Sequence, residues 1–97
     1  MRSISFSWDD RKNKANQKKH RVSFEEAQTV FFDDHALEYY DPDHSESEER
    51  FLMLGVSNHV RVLVVSYTSR KGRTEIRLIS ARKATKKEQK TYTGEIL

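Results

Sequence analysis

The sequence predicts an α+β fold: a small twisted, mainly antiparallel sheet with two N-terminal helices and a short basic C-terminal helix. Three observations carry that expectation. Short segments of strand-like alternation occupy residues 3–8 and most of the chain after residue 50. Connections of only three to five residues join the later segments, which favours an antiparallel meander. Two Ser/Thr-x-x-Glu signatures, Ser23 with Glu26 and Thr85 with Glu88, mark helix starts between the strand-like stretches. A length of 97 residues makes this one domain, residues 1–97. The helices are expected mainly on one face of the sheet.

Residues 3–8, SISFSW, set Ile4, Phe6 and Trp8 on one face and three serines on the other, a half-buried strand. Asp9 or Asp10 then offers an N-cap for a helix over residues 10–20, whose only aliphatic residue is Ala15. No apolar stripe can hold that helix. Lys12, Asn16 and His20 share one of its faces, with Lys19 adjoining, and Asn16 is the residue expected to tie the helix down by hydrogen bonds. The second helix, from Ser23 to about Phe32, carries the stripe the first lacks, in Phe24, Ala27, Val30 and Phe31. A short strand over residues 36–40 and a polar loop over residues 41–48 follow.

Residues 50–56 and 60–68 read as strands. The latter is apolar on both faces and therefore a central strand covered on both sides. Residues 69–73 form a turn with Gly72 available for positive φ. In the next strand Ile76, Leu78 and Ser80 alternate with Arg77, Ile79 and Ala81, and the strand ends at Arg82-Lys83. The last helix, opened by Thr85, bears Tyr92.

Net charge is only +3, but it is unevenly spread. Residues 22–49 hold ten acidic residues and no Lys or Arg, so all 18 cations face only five acids elsewhere. A molecule polarised in this way attracts a polyanion with one surface and presents another to a different partner. There are no cysteines, which excludes disulfides and thiolate chemistry and fits the cytoplasm. No apolar run is long enough for a membrane span and no signal-peptide pattern opens the chain, so a soluble, unexported protein is expected.

Metals and cofactors are not expected. Asp41-Pro42-Asp43 begins like a calcium loop, but Glu46 stands where the sharp turn needs glycine. Histidines 20, 35, 44 and 59 have no zinc spacing, and no Gly-rich phosphate loop exists. His44-Ser45 reads as a pair that ties down its own loop.

Trp8, Lys12, Asn16, Lys19-His20, Ser23-Phe24, the Asp41/His44-Ser45/Glu48/Arg50-Phe51 segment and the run ISARKAT…E…Y appear in this order from about Phe6 to Tyr92. Together they resemble the BrnT family of bacterial type II toxins, which look like distant relatives of the RelE ribonuclease fold. The resemblance implies an RNA-cleaving toxin held inactive by a BrnA-type ribbon-helix-helix antitoxin. It also implies that operator DNA is bound only through the toxin–antitoxin complex.

Metal-free RNA cleavage requires a deprotonated 2′-hydroxyl, in-line attack on phosphorus and a protonated leaving oxygen, which positioned cations and proton-transfer groups can supply. Arg77 and Arg82 are the expected phosphate clamps, since a guanidinium is always charged and binds two oxygens at once. An ion pair with Glu88 is the competing role for Arg82. His20 is the expected general acid or base, and Tyr92 can stack on a base or donate a proton. Lys12, Lys19, Lys83 and Lys86 are the expected RNA-backbone contacts. The runner-up is a non-enzymatic nucleic-acid-binding or corepressor module that uses the same cations without chemistry.

Overall fold

The computed structural model describes residues 3–70, 72 and 74–94. Its elements are β1 (Ser5–Ser7), α1 (Asp10–His20), α2 (Phe24–Ala27) running into a 3₁₀ helix (Gln28–Phe32), and β2 (Leu37–Tyr40). A 3₁₀ turn (Pro42–His44), β3 (Arg50–Val56), β4 (Val62–Arg70), β5 (Glu75–Lys83) and α3 (Lys86–Thr93) complete the chain. One five-stranded sheet has the order β1-β5-β4-β3-β2, so β2 to β5 form an antiparallel meander with β4 in the middle. β1 pairs with β5 in parallel.

The expected alpha-plus-beta architecture is present, with three departures. The second helix tightens to 3₁₀ after Ala27 rather than continuing as α. Glu26, expected to reach back to the cap, turns its carboxylate to Ser57 and Arg61 instead, so only half of that capping box forms. The helices also divide between the two faces. α1, α2 and the 3₁₀ helix cover a core of Val22, Phe24, Ala27, Val30, Leu63, Val65, Tyr67 and Leu78. α3 packs on the opposite face against Leu54, Val62 and Val64. The two-sided apolarity of β4 is the physical reason: each face needs a cover. Of the turn expected over residues 69–73, Lys71 and Arg73 lie outside the described residues, and Gly72 has the anticipated positive φ of 65°.

β5 breaks the simple alternation expected of it. Ser66 pairs with Ser80 while Tyr67 pairs with Leu78, so Ile79 bulges. Ala81 consequently joins Leu78 in the core, and Ser80 moves to the same side of the sheet as Arg77 and Arg82.

α1 has no apolar stripe and needs none. Asp9 caps it by accepting from the Arg11 and Lys12 amides. Its buried residues are Asn13 and Asn16. Beyond the short β1, the edge of β5 is open, and the Asn16 amide fills in as a strand would. It donates to the Ala81 carbonyl at 2.8 Å, accepts from the Ala81 amide at 3.1 Å and also donates to the Val22 carbonyl at 2.8 Å. Asn16→Ala orphans three buried backbone groups and is expected to cost about 3 kcal/mol, at roughly 1–3 kcal/mol for each unsatisfied group with partial rewetting. Chemical denaturation checks this, and a loss below about 1 kcal/mol would show that α1 is held by something else.

Candidate active site

The face of the sheet that α3 covers at one end is open at the other. There the antiparallel register aligns Arg50 of β3, Thr68 of β4 and Arg77 of β5 in one row, with Leu52, Ser66 and Ser80 in the next. Directly paired residues project from the same face, so two guanidinium groups flank Thr68 across about 10 Å of sheet. The Nε of Arg50 and the Oγ1 of Thr68 are buried with no hydrogen-bond partner. Buried polar groups left unpaired within the protein are uncommon.

The loop between β2 and β3 closes over the Arg50 end of this row. Ser45 clamps its neck, donating to the Asp41 carbonyl at 2.5 Å and accepting from the Arg50 amide at 2.9 Å. That fixes the 3₁₀ turn and sets His44 Nδ1 2.9 Å from the Asp41 carboxylate. Asp41, His44, Arg50, Leu52, Ser66, Ile79 and Ser80 line a cavity of about 200 Å³. An imidazole held by a carboxylate through Nδ1 presents Nε2 outward for proton transfer.

Of the residues singled out from the sequence, only Arg77 belongs to this row. It is exposed, and no ion pair holds it among the described residues. Arg82 lies on the same face, about 13 Å further along the strand, at the foot of α3. Both of its terminal nitrogens are taken by Glu88, at 2.7 and 2.9 Å. Glu88 also completes the capping box with Thr85, and Arg82 above all holds its carboxyl down to about 2 against the opposing effect of burial. The competing ion-pair role is thus the one the geometry displays.

Tyr92 points away, donating to Asp33 at 2.5 Å. That carboxylate, together with burial, pushes the phenol up to about 12. Burial opposes the charge on Asp33, but hydrogen bonds from Tyr92 and the Val56 and His35 amides outweigh it and keep its carboxyl below its usual value. Tyr92 therefore pins α3 to the 3₁₀ helix region. Tyr92→Phe is expected to cost about 1 kcal/mol of stability and leave RNA cleavage within about twofold; a tenfold loss of cleavage in the folded variant would return Tyr92 to the chemistry.

His20 sits half-buried in the last turn of α1, and it does not line the cavity that holds His44. Lys12, Lys19, Lys83 and Lys86 are all exposed, on α1, at the end of β5 and in the first turn of α3. They suit a long polyanion passing over the surface rather than a single phosphate. Sequence reasoning missed Arg50 and His44 as site residues. The signal was available in the arginine that opens an otherwise apolar strand, RFLMLGV, directly after a loop containing histidine and aspartate. Among the described residues, no group of three or more His, Asp or Glu side chains converges as metal ligands.

A profile of the family described as "Ribonuclease toxin, BrnT, of type II toxin-antitoxin system" matches residues 8–88. The chain belongs to the BrnT family. Membership makes it a ribonuclease toxin of a type II pair, with RNA as substrate and an antitoxin as partner. Its structure is similar to the 1.1 Å crystal structure of the Brucella abortus ribonuclease toxin BrnT, with a TM-score of 0.62 and 21% identity. That match covers 87% of this chain and all of the Brucella protein, and shows the shared α+β fold. No curated protein sequence matches. Among the described residues, no helix is long and apolar enough to cross a membrane.

Proposed function

We propose that this BrnT-family chain is a metal-independent endoribonuclease whose reaction takes place on the open sheet face, at the Arg50–Thr68–Arg77 row beside His44. The observation that carries this reading is the alignment of two guanidinium groups and a buried hydroxyl in one row of the sheet face, with a carboxylate-oriented imidazole sharing a cavity with one of them, Arg50. Arg50 and Arg77 grip the non-bridging oxygens of one phosphodiester and stabilise the charge that builds as phosphorus becomes five-coordinate. His44 Nε2 takes the 2′-hydroxyl proton as the oxygen attacks, and Asp41 stabilises the imidazolium that results. The products are a 2′,3′-cyclic phosphate and a 5′-hydroxyl, with the leaving oxygen protonated by solvent or by the returning imidazolium. Lys83 and Lys86 extend the basic surface for flanking phosphates, while Lys12 and Lys19 on α1 add non-specific attraction.

The partner that silences the toxin is a BrnA-like ribbon-helix-helix antitoxin, and operator DNA is reached only through their complex. The polarised charge supports that reading, because ten acidic residues and no Lys or Arg over residues 22–49 suit a basic partner protein as well as the cations elsewhere suit RNA. The deciding experiment is cleavage of a defined RNA in excess EDTA, with the new ends mapped. Undiminished cleavage that yields cyclic phosphate ends is expected. Abolition by EDTA with rescue by a divalent cation would overturn metal independence, and RNA binding without cleavage would make the chain a binding module.

A further inference from the structure

The cleavage step leaves four residues of the His44 cavity without a part: Leu52, Ser66, Ile79 and Ser80. Leu52, Ser66 and Ser80 pair directly across β3, β4 and β5, one row along the sheet from Arg50, Thr68 and Arg77. Leu52 and Ile79 therefore stand on the two strands that flank β4, about 10 Å apart at the backbone, with Ser66 between them. The bulge in β5 makes this possible. Ile79 and Ser80 both oppose Ser66, whereas an unbulged strand would turn one of them through to the core side. Ser66 and Ser80 are half-buried, and no hydrogen bond among the described residues engages either hydroxyl. Aliphatic side chains on either side of free hydroxyls suit a flat heterocycle with a polar edge, because each hydroxyl both donates and accepts. At about 200 Å³ the cavity is smaller than the pockets of roughly 300–1,000 Å³ that hold drug-sized ligands, and matches a single base.

Covalent connectivity selects which base. Asp41, His44 and Arg50 line the same cavity as the two serines. On the nuclease reading above, on which this rests, His44 takes the proton of the attacking 2′-hydroxyl. That hydroxyl and the base are carried by adjacent carbons of one ribose, so the base nearest His44 is the one on the 5′ side of the cut. We propose that the cavity is a nucleobase subsite. The base of the nucleotide 5′ of the scissile bond enters between Leu52 and Ile79, and Ser66 and Ser80 hydrogen-bond its polar edge. A base within a duplex is stacked and paired, so the substrate is an unpaired stretch of RNA. Seating the base brings its own 2′-hydroxyl to His44 and its 3′ phosphate to Arg50, which adds to rate by positioning as well as to affinity.

The test uses the full chain and single-stranded DNA oligonucleotides that carry one ribonucleotide, so that only one 2′-hydroxyl can attack. The base is present or removed, leaving an abasic sugar, either at that ribonucleotide or at its 3′ neighbour. Loss of the base at the ribonucleotide should lower kcat/KM by about tenfold or more, and loss at the 3′ neighbour by less than about threefold. In Ser66→Ala and in Ser80→Ala the ratio of intact to abasic cleavage should fall to about a third or less of its value in the unaltered chain. A purely structural role for the serines would slow both substrates alike and leave that ratio unchanged. Fluorescence anisotropy with all-deoxy oligonucleotides, which cannot be cut, reads base-dependent binding separately. Equal cleavage of intact and abasic substrates, a larger loss at the 3′ neighbour, or an unchanged ratio in both serine variants would each overturn the subsite and leave the nuclease standing. Base-dependent binding that Ser66→Ala abolishes, with no cleavage at the ribonucleotide, would instead sink the nuclease reading and keep the subsite.

Discussion

Alanine in place of Arg50 or Arg77 should slow RNA cleavage by about 10²–10³-fold, the usual cost of removing one preorganised donor from a developing oxyanion. His44→Ala should lose about 10²–10⁴-fold, the range contributed by a positioned acid–base group. The physical basis is shared. The register places Arg50 and Arg77 two strands apart on one face, and the Asp41 contact orients the imidazole beside them. These groups matter most when charge accumulates on the phosphate, so RNA affinity should fall far less than rate. Each arginine lost should reduce the salt dependence of binding by about one phosphate contact. Arg82→Ala is the internal control. Its guanidinium is spent on Glu88, so its removal should loosen the start of α3 while leaving the chemical step within about tenfold. Single-turnover cleavage and filter binding, measured across a salt series, separate the two effects. Parallel, modest losses of rate and affinity in all three site variants would convert the site into a binding surface.

The second large effect is on stability. Glu26 is buried, and its carboxylate accepts from Arg61 Nε at 2.7 Å, Arg61 Nη2 at 2.5 Å and Ser57 at 2.6 Å. Arg61 also donates to the Arg21 carbonyl at the end of α1, so the Arg61–Glu26 pair joins α1, α2 and the start of β4. Arg61→Ala leaves a buried carboxylate with only the exposed His59 imidazole, 3.2 Å away, as a charge partner and is expected to cost about 3–5 kcal/mol, lowering Tm by roughly 12–40 °C for a domain of this size.

The pH dependence has a definite sign. In the native protein the Arg61 hydrogen bond is the largest influence on Glu26 and, against burial, holds its carboxyl below its ordinary value of 4.5. The stability this supplies is present above pH 4.5 and is lost as pH falls through the folded-state value. Without Arg61 the largest lowering influence is gone and burial is opposed only by Ser57 and His59, so the variant should lose less stability on acidification. The gap between the two proteins must therefore narrow between pH 7 and pH 4. Urea titrations at both pH values measure it. A gap that is constant with pH, or below 1 kcal/mol at pH 7, would mean that Glu26 is solvated well enough to stand alone.

Much was legible from local chemistry. Capping signals at Asp9, Ser23 and Thr85, the two-sided apolarity of β4, the polar loop before Arg50 and the structural role of Asn16 all depend on residues a few positions apart or on the lack of an apolar stripe. Local pattern also singled out Arg77, because an arginine within an apolar strand stands out in a period-2 reading. The placement of the other groups required pairing across long sequence distances. His20 and Tyr92 have the chemistry of a nuclease, yet one ends α1 and the other reaches back to Asp33, 59 residues away.

The amino-acid sequence alone determined the fold class, the polarised charge and, through the combined order of its motifs, the family. Fold class and charge follow from composition and short-range periodicity, which survive without knowing which strand lies beside which; the family follows from the resemblance its ordered motifs carry. Only the tertiary structure decided which cations stand side by side on one face. The bulge at Ile79 puts Ser80 on the side of Arg77, and the β3–β4–β5 register draws Arg50 up to Thr68 and Arg77. A one-residue slip in that ladder would turn the same arginines to opposite faces.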